Sequence, residues 1–400
     1  MMNKKGDILP FWSKVLPVYR ILWERGPLSR REIQELTGLK LTTLVRSLDE
    51  LKNNGFITES GQGESSGGRR PVLYEINYRK AALIGIDISR TYIKIAHMDM
   101  KSNIIKSRRF SLSREHCPRT AVSMIGEIIR SFGIKTPILG IGIGCVGPLD
   151  KEKGVILNPE YFPAPGWENV PLVEMLNEEN AYPIFLENGA NCAALAEFYY
   201  GAAKECRSLG YIHVGVGIRS GVINHGSLVR TVDNRDDALG HMIVNMDGRE
   251  CYCGNYGCLQ SYCTLNGMLQ EFKAKLKMGR RSQVREFYRG CIDQLPLSVF
   301  YQAIKDKDPL AVQIMLDGAA ALGTGVANFS NLLDLDLVII NGPVIQLSED
   351  FYNQCAYTAQ NKTLRNIHFS KGKLGDNAIV MGAGLLVLDN SLKNGALFNI

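Results

Sequence analysis

Two kinds of segment are absent from this 400-residue sequence. Residues 1–10 lack the apolar stretch of a signal peptide, and no later apolar run reaches the roughly 18 residues that a membrane span needs. We therefore expect a cytoplasmic protein with no membrane partner. With 45% hydrophobic and 22% charged residues, the composition also excludes collagen-like and mostly disordered chains. The length allows two or three domains.

The ten cysteines do not indicate a disulfide framework. Such frameworks occur in small exported domains, whereas this chain is large and shows no export signal. Reduced thiols or metal ligands are therefore the favoured interpretation.

Positive charge is concentrated at the N-terminal end. The chain has 46 Lys and Arg against 40 Asp and Glu, and five of its six net positive charges come from residues 1–80. Residues 81–400 are nearly neutral, with a net charge of +1. This asymmetry favours a polyanion as the partner of the N-terminal end, and an uncharged ligand or self-association for the rest.

Residues 15–60 show the apolar spacing of three short helices. Gly26-Pro27 ends the first helix, and Ser29 with Glu32 has the spacing of a capping box that opens the second. A turn at Thr37-Gly38-Leu39 leads to the third helix. The apolar positions that define the helices are Val15, Val18, Tyr19, Leu22, Ile33, Leu36, Leu41, Leu44, Leu48 and Leu51.

On the third helix, small hydroxyl side chains and one arginine fall on or near the side opposite the apolar stripe. These are Thr42, Thr43, Arg46 and Ser47. Two helices across a glycine turn, the second with such a face, fit a helix-turn-helix whose second helix enters the major groove of DNA. There Thr, Ser and Arg can contact bases or phosphates. The alternative is an ordinary three-helix bundle with a solvated polar face.

Two strands are predicted after the helices, at residues 56–58 and 72–76. Between them, residues 59–71 contain four glycines and end on Arg69, Arg70 and a proline. A glycine-rich hairpin tip with two guanidinium groups fits the wing of a winged helix, which can follow phosphates or enter a narrow minor groove. A solvated linker is the alternative.

Residues 1–80 are thus predicted to form a winged helix-turn-helix DNA-binding domain, followed by a body at residues 81–400. In the body, two β-turn-β units near residues 83–96 and 211–223 are separated by mixed strands and helices. This order predicts an α/β fold of two similar lobes that binds its ligand in the cleft between them.

The most specific chemical signal in the body is one histidine followed by three closely spaced cysteines. They are His241, Cys251, Cys253 and Cys258, four residues in a segment of 18. Three thiolates and one imidazole make a complete tetrahedral set with no open position for a catalytic water, so the segment predicts one structural zinc ion per chain. The alternative is a set of incidental core thiols.

The same segment resembles the signature of the ROK family, which unites sugar kinases with sugar-responsive repressors. Further matching motifs include Gly147-Pro148-Leu149-Asp150, Asn158-Pro159, Gly166-Trp167, Glu187-Asn188, Asn341-Gly342-Pro343 and Met381 to Leu385. The resemblance covers residues 15–390 and implies a two-lobed, actin- or hexokinase-like (ribonuclease H-like) body. A winged helix with a Gly-Gly-Arg-x-Pro wing is similar to the repressor branch, which includes xylose and N-acetylglucosamine repressors. The kinases of the family lack that domain.

The resemblance also identifies where a kinase of this family would need its catalytic groups. The family's base is the Asp after Glu-Asn, and here that position is Gly189, which cannot accept a proton. Glu187 is nearby, but the family does not use that side chain as the base. Both phosphate loops are altered, to Asp87-Ile-Ser-Arg-Thr91 and to Gly215-Val-Gly217 followed by Arg219-Ser220. We therefore expect no kinase activity.

Four residues match positions that the family uses to bind sugar hydroxyls: Asn158, Asn188, His241 and Gln260. Gln260 and Ala238 replace family glutamates, so acceptors for paired bonds from vicinal hydroxyls are lost. A weakly bound neutral sugar, a sugar derivative that uses the freed space and a vestigial pocket all stay open. For Asn188 and Asn191, the alternative role is turn formation and capping of the following helix.

The favoured function is a transcriptional repressor of carbohydrate-utilisation genes. In this hypothesis a homodimer or homotetramer binds a palindromic operator in double-stranded DNA, and a sugar or sugar derivative in a catalytically inactive cleft controls its affinity. The alternative is an ATP-dependent sugar kinase with an appended DNA-binding domain. A third hypothesis is a constitutive DNA-binding or protein-recruiting module whose pocket binds nothing.

Overall fold

The computed structural model of this chain describes residues 12–62, 70–159, 162–230 and 238–399. Its helices are α1 Trp12–Arg25, α2 Arg30–Thr37, α3 Leu41–Asn53, α4 Pro118–Ser131, α5 Leu172–Glu179, α6 Gly189–Tyr200, α7 Gln260–Cys263, α8 Leu265–Lys277, α9 Val284–Phe287, α10 Leu297–Lys305, α11 Pro309–Leu333, α12 Pro343–Leu347, α13 Glu349–Lys362 and α14 Ala378–Lys393. Short 3-10 turns lie at Ala238–His241, Ile292–Gln294, Gly375–Asn377 and Ala396–Asn399.

The strands form three main sheets and one short ribbon. They are β1 Leu28–Ser29, β2 Ile57–Gln62, β3 Val72–Ile76, β4 Ala82–Ile88, β5 Tyr92–Asp99, β6 Ile104–Ser111, β7 Ile138–Cys145, β8 Leu149–Asp150, β9 Val155–Ile156, β10 Ile184–Asn188, β11 Ser208–Val214, β12 Ile218–Asn224, β13 Ser227–Val229, β14 Leu337–Asn341 and β15 His368–Ser370. The ribbon pairs β8 with β9.

The N-terminal segment contains the three predicted helices and a small antiparallel sheet in the order β1-β3-β2. The capping box at the start of α2 is present. The Ser29 hydroxyl accepts a hydrogen bond from the Glu32 backbone N–H at 3.4 Å, and the Glu32 carboxylate accepts one from the Ser29 N–H at 2.7 Å. Gly38 ends α2 with a φ of +66°, a conformation that favours glycine.

Two apolar positions of these helices are more exposed than the periodicity predicts. Leu36 has 49% of its surface exposed and Leu41 has 51%, so neither belongs to the core. Leu44, Leu48 and Leu51 are buried as expected. Both residues flank the turn between α2 and α3.

The two lobes of the body repeat one topology. The first sheet has the order β10-β7-β4-β5-β6 and the second has β13-β12-β11-β14-β15. In each sheet, three consecutive strands form an antiparallel meander. Two further strands lie beside the first strand of that meander and run parallel to it. The prediction of two similar α/β lobes is confirmed.

Helices α6 and α14 lie between the two sheets and pack on each other. Glycines at these contacts let the backbone of α14 approach α6 and the first sheet closely. A Cβ on Gly382 of α14 would stand 1.7 Å from the Cys192 carbonyl oxygen of α6, and a Cβ on Gly142 would stand 1.8 Å from the Ala383 carbonyl oxygen. Because backbone meets backbone here, the position of α14 is tied to α6 and to the first sheet.

The N-terminal helices share a hydrophobic core with the body. Tyr19 of α1 and Phe56 beside β2 make edge-on ring contacts with Phe398, with centroids 5.5 and 5.2 Å apart. Leu388 and Leu392 of α14 belong to the same buried cluster. The DNA-binding segment predicted from the sequence is therefore packed onto the body.

Helix α11 corrects one expectation about membrane segments. Its 25 residues are long and apolar enough to cross a membrane, although no apolar segment of that length was expected from the sequence. Within the described part of the chain it is a core helix of the second lobe. It packs against α13, and twelve of its residues are buried.

Candidate nucleic-acid interface, metal centre and ligand cleft

The face of α3 that was predicted to contact DNA is mostly exposed. Thr42 and Arg46 are exposed, and Thr43 is half-buried. The expectation that Ser47 faces solvent is wrong. Its side chain is only 2% exposed because α1 covers it, and its hydroxyl donates to the Lys14 carbonyl oxygen at 3.4 Å.

The hairpin predicted as a wing is formed by β2 and β3, which pair antiparallel with one irregularity near Gly61. Arg70 is exposed just before β3. Arg69 lies outside the described residues. Helix α3 and Arg70 thus place exposed guanidinium and hydroxyl groups on the N-terminal segment, where the excess positive charge of the sequence is also found.

The predicted metal ligands come together. The ligand atoms of His241, Cys251, Cys253 and Cys258 all lie within 4.8 Å of one another. His241 ends a 3-10 turn, and the cysteines follow on a loop that returns to α7. Gly257 makes the return possible, because its φ is +74° and a Cβ there would stand 1.6 Å from the Asn245 carbonyl oxygen.

The spacing of these atoms fits one tetrahedral ion. Ligand bonds of about 2.0–2.3 Å to zinc place neighbouring sulfur and nitrogen atoms roughly 3.5–3.8 Å apart. The Cys253 and Cys258 Sγ atoms are 3.7 Å apart, and Cys251 Sγ is 3.8 Å from His241 Nδ1. Burial and the neighbouring thiols raise the pKa of Cys258 to about 12. A cation is therefore the group that would hold three thiolates together here.

Two side chains support this cluster from outside. The Gln260 amide donates to Cys251 Sγ at 3.2 Å, and the Tyr252 hydroxyl is 3.4 Å from His241 Nε2. Gln260 is 7% exposed, so the residue that the sequence assigned to sugar recognition is engaged with the metal ligands. His241 thus presents Nδ1 to Cys251 and Nε2 to the Tyr252 hydroxyl.

Asn158 lines an open cavity of about 810 Å³. Tyr252 lines the same cavity, together with Trp167 and Phe162, whose rings stack with centroids 4.4 Å apart. Flat apolar rings beside amide and hydroxyl groups are suited to contact one face of a sugar ring. Asn158 and Tyr252 border this space, and Tyr252 in turn contacts His241, with ring centroids 5.4 Å apart.

Asn188 and Gly189 lie at the start of α6, away from that cavity wall. The Asn188 Oδ1 accepts from the Ala190 N–H at 2.8 Å and caps the helix, and Asn191 donates to Glu187 at 3.0 Å. The capping alternative for Asn188 is thus realised. The Asn191 amide thus supports Glu187 near the end of β10, just before the helix.

Glu187 is fully occupied by neighbours and is only 2% exposed. It forms ion pairs with Lys151 and, at 3.2 Å, with Arg230. Burial raises the pKa of its carboxyl, but Lys151 and Asn191 outweigh that effect and hold the pKa below its usual value. A carboxylate held in this way is a poor proton acceptor.

Arg219 was not among the ligand-binding residues predicted from the sequence. Its Nη1 lies 3.1 Å from the point that a Cβ on Gly189 would occupy, and its side chain is 6% exposed. Asp87 is also buried, with one oxygen accepting from the Tyr92 hydroxyl at 2.8 Å. Burial raises the pKa of Asp87 to about 6, although Tyr92 and Arg219 lower it. The sequence feature that could have identified Arg219 is its position inside the apolar strand Ile218–Asn224.

Comparison with known proteins gives a consistent family assignment. The chain is 30% identical to the xylose repressor of Caldicellulosiruptor bescii, over 94% of this chain and 96% of that protein. It is 26% identical to the DNA-binding transcriptional dual regulator NagC of Escherichia coli, over 95% and 93%.

Solved structures show the same fold. The crystal structure of a ROK family transcriptional regulator, a homologue of the E. coli MLC protein, matches with a TM-score of 0.78 at 21% identity and covers 97% of this chain and 98% of that one. A ROK hexokinase from Thermus thermophilus matches with a TM-score of 0.64 at 26% identity, over 77% and 99%.

The family model of the ROK family matches residues 83–390. That match contains both sheets, the four clustered metal-ligand residues and the start of α6. The chain therefore belongs to the ROK family.

Proposed function

We propose that this protein is a sugar-responsive transcriptional repressor that binds operator DNA through α3 and the β2–β3 wing and has no kinase activity. The observation that carries the proposal is the shared core between the N-terminal segment and α14, in which Phe398 packs against Tyr19 and Phe56. Such packing connects a DNA-binding face to a ligand cleft. Relatives named xylose repressor and NagC support the same function.

The DNA-binding face consists of Thr42, Thr43, Arg46, Arg69 and Arg70, while buried Ser47 holds α3 against α1. Fluorescence anisotropy with a duplex from the upstream region of the protein's own gene tests this face. Arg46→Ala is expected to weaken binding by about 1–3 kcal/mol if Arg46 reads a base. Arg207→Ala, an exposed arginine on the second lobe, is the matched control. If both variants bind the duplex as tightly as the wild type, Arg46 of α3 does not contribute to the DNA interface.

The absence of kinase activity rests on Gly189 and on the occupied state of Glu187. A coupled ADP-release assay over a panel of hexoses is expected to show no turnover. Turnover that Asp87→Ala abolishes would contradict this part of the proposal and favour the kinase alternative.

The clustered ligands His241, Cys251, Cys253 and Cys258 hold one structural zinc ion in this proposal. Bound there, zinc would fix the loop that carries both His241 and Gln260, and so join the metal site to the sugar cavity. Metal analysis of protein purified without added zinc is expected to give about one equivalent per chain. A Cys253→Ser variant that keeps its full metal content would disprove this ligand set.

Operator binding in this proposal uses two copies of the chain. Leu332 and Leu364 are 79% and 86% exposed, and the Leu364 N–H donates to Asn331, the residue beside Leu332. Exposed leucines in one place favour self-association. Light scattering after size exclusion is expected to give a dimer or tetramer for the wild type and a smaller species for Leu364→Glu.

A further inference from the structure

We propose that a second ligand site lies where the N-terminal segment meets the body, and that it binds an apolar α-amino acid. The site is a cavity of about 360 Å³ bordered by α1, α6, α14 and β13. It shares no lining residue with the cavity of Asn158 and Tyr252. A ligand in this place contacts both the first helix of the N-terminal segment and the helix on which that segment packs.

Much of the cavity wall is apolar. Its leucines come from two buried clusters that meet at α14: Leu388 and Leu392 belong to the core shared with α1, and Leu386 belongs to the cluster between the two sheets. Trp23 of α1 and Tyr199 of α6 add two rings, with centroids 5.2 Å apart and planes tilted by 53°. Such a wall favours an apolar group of a ligand over water.

The volume of the cavity fits one small molecule. Ligand cavities usually measure about 300–1,000 Å³, and an apolar cavity of about 150 Å³ already holds one benzene ring. The space of about 360 Å³ therefore accommodates a ring or branched chain together with a polar head group. Walls from four different elements of the fold suit such a molecule better than an extended peptide.

Of the charged side chains that the structure describes around the cavity, three already have partners. Lys393 forms an ion pair with Asp389 at 2.6 Å, and both residues line the cavity. Arg230 forms an ion pair with Glu187 at 3.2 Å. One cation and one anion are left over, and both belong to α1.

These two side chains are Arg20 and Glu24, which form no ion pair within the described part of the chain. They lie one helical turn apart, so their Cβ atoms are about 5–6 Å from each other. An arginine that precedes a glutamate at this spacing pairs less favourably than the reverse order. Burial raises the pKa of Tyr199, nearby carboxylates, Glu24 among them, raise it further, and Arg20 lowers it. Both charges of α1 therefore act at the hydroxyl end of that ring.

One unpaired cation and one unpaired anion beside an apolar wall match a zwitterion with an apolar body. An α-amino acid carries its carboxylate, its ammonium and its side chain on one carbon. Arg20 donates to the carboxylate, for which a guanidinium is well suited, and Glu24 accepts from the ammonium. An apolar amine would leave Arg20 without a partner, and an apolar acid would do the same to Glu24.

Isothermal titration calorimetry on the full-length wild type tests this charge requirement with three probes of similar shape. They are L-phenylalanine, phenethylamine, which lacks the carboxylate, and phenylpropionate, which lacks the ammonium. L-phenylalanine is expected to bind at least tenfold more tightly than either of the others. If it does not bind, or if one of the singly charged probes binds as tightly, the proposal is wrong.

Two variants of exposed α1 residues test the location. Arg20→Gln is expected to weaken binding of L-phenylalanine at least tenfold and to remove its advantage over phenethylamine. Glu24→Gln is expected to remove the advantage over phenylpropionate. Arg25→Gln is the matched control, because Arg25 is exposed on the same helix but does not line the cavity. If Arg20→Gln and Arg25→Gln bind L-phenylalanine equally tightly, the amino acid does not bind at this site.

Hydrogen exchange followed by mass spectrometry gives a readout that does not depend on the variants. A ligand that holds α1 against α14 adds contacts that are lost when α1 separates from the body, so L-phenylalanine is expected to slow amide exchange in α1. Unchanged exchange in α1 at a saturating concentration of L-phenylalanine would also refute the site. None of these measurements uses DNA, so their outcome is independent of the repressor function.

Discussion

Truncation of Phe398 is the sharpest test of the packing that joins the N-terminal segment to the body. Phe398 is 6% exposed and lies edge-on to both Tyr19 and Phe56. Replacing a buried Phe by Ala costs about 3–5 kcal/mol, and each aromatic pair accounts for about 0.5–1.5 kcal/mol of such a loss. The last turn of the chain can partly close the cavity, so we expect Phe398→Ala to cost about 3 kcal/mol.

The loss should be local, because the three rings belong to the cluster that joins the N-terminal segment to the first lobe and the end of α14, away from the second sheet. Hydrogen exchange followed by mass spectrometry measures it by region. About 3 kcal/mol corresponds to roughly a hundredfold faster exchange through local opening. We expect that increase in α1 and β2, and little change in β11 and β12 of the second lobe.

Phe287→Ala is the matched control, since this phenylalanine is 54% exposed and surface truncations usually change stability by less than about 0.5 kcal/mol. Phe398→Leu, which keeps most of the apolar volume, should fall between the two. If exchange in α1 is no faster in Phe398→Ala than in Phe287→Ala, the shared core does not hold the N-terminal segment, and the structural basis for coupling DNA binding to the cleft is lost.

Three further changes have defined outcomes. The buried Tyr19 hydroxyl has no hydrogen-bond partner in the described structure, so Tyr19→Phe is expected to leave the free energy of unfolding unchanged or raise it by about 1 kcal/mol; a clear loss in chemical denaturation would point to a partner. Burial raises the pKa of Asp87 from 3.8 to about 6, so the folded state holds the proton more tightly, and stability should fall as pH rises through this range, by about 3 kcal/mol. Asp87→Asn should remove that slope from unfolding curves measured between pH 4 and pH 7, and a slope that persists in the variant belongs to other groups. A strong chelator should lower the Tm of the wild type and leave the Tm of Cys258→Ser unchanged, because that variant lacks a buried ligand; equal effects on both would argue against an ion in the cluster.

Local patterns in the sequence predicted local structure well. Ser29 and Glu32 form their capping box because both partners lie within one turn of helix. The spacing of Cys251, Cys253 and Cys258 brought thiols together because a short loop with glycines at its turns offers few other arrangements. The repeated strand order likewise predicted two similar lobes.

Features that depend on distant parts of the chain were missed. Periodicity placed Ser47 near solvent, since it cannot show that α1 covers that side of α3. The packing of Phe398 against Tyr19 joins opposite ends of the chain. Arg219 could be recognised as an unusual residue in an apolar strand, but only the crossing of α6 over the second sheet places it in front of Gly189.

Helix α14 gives the cleft and the DNA-binding segment a common structural element. At its start, Ile379 lies 3.4 Å from the position of a Cβ on Gly189, and one turn later Gly382 meets the Cys192 carbonyl oxygen with no side chain between them. Towards its end, Leu392 belongs to the core shared with α1. Because closely packed backbone cannot absorb a displacement, a ligand that shifts the start of α6 must also shift α14. None of the contacts along this path uses a side chain at Gly189.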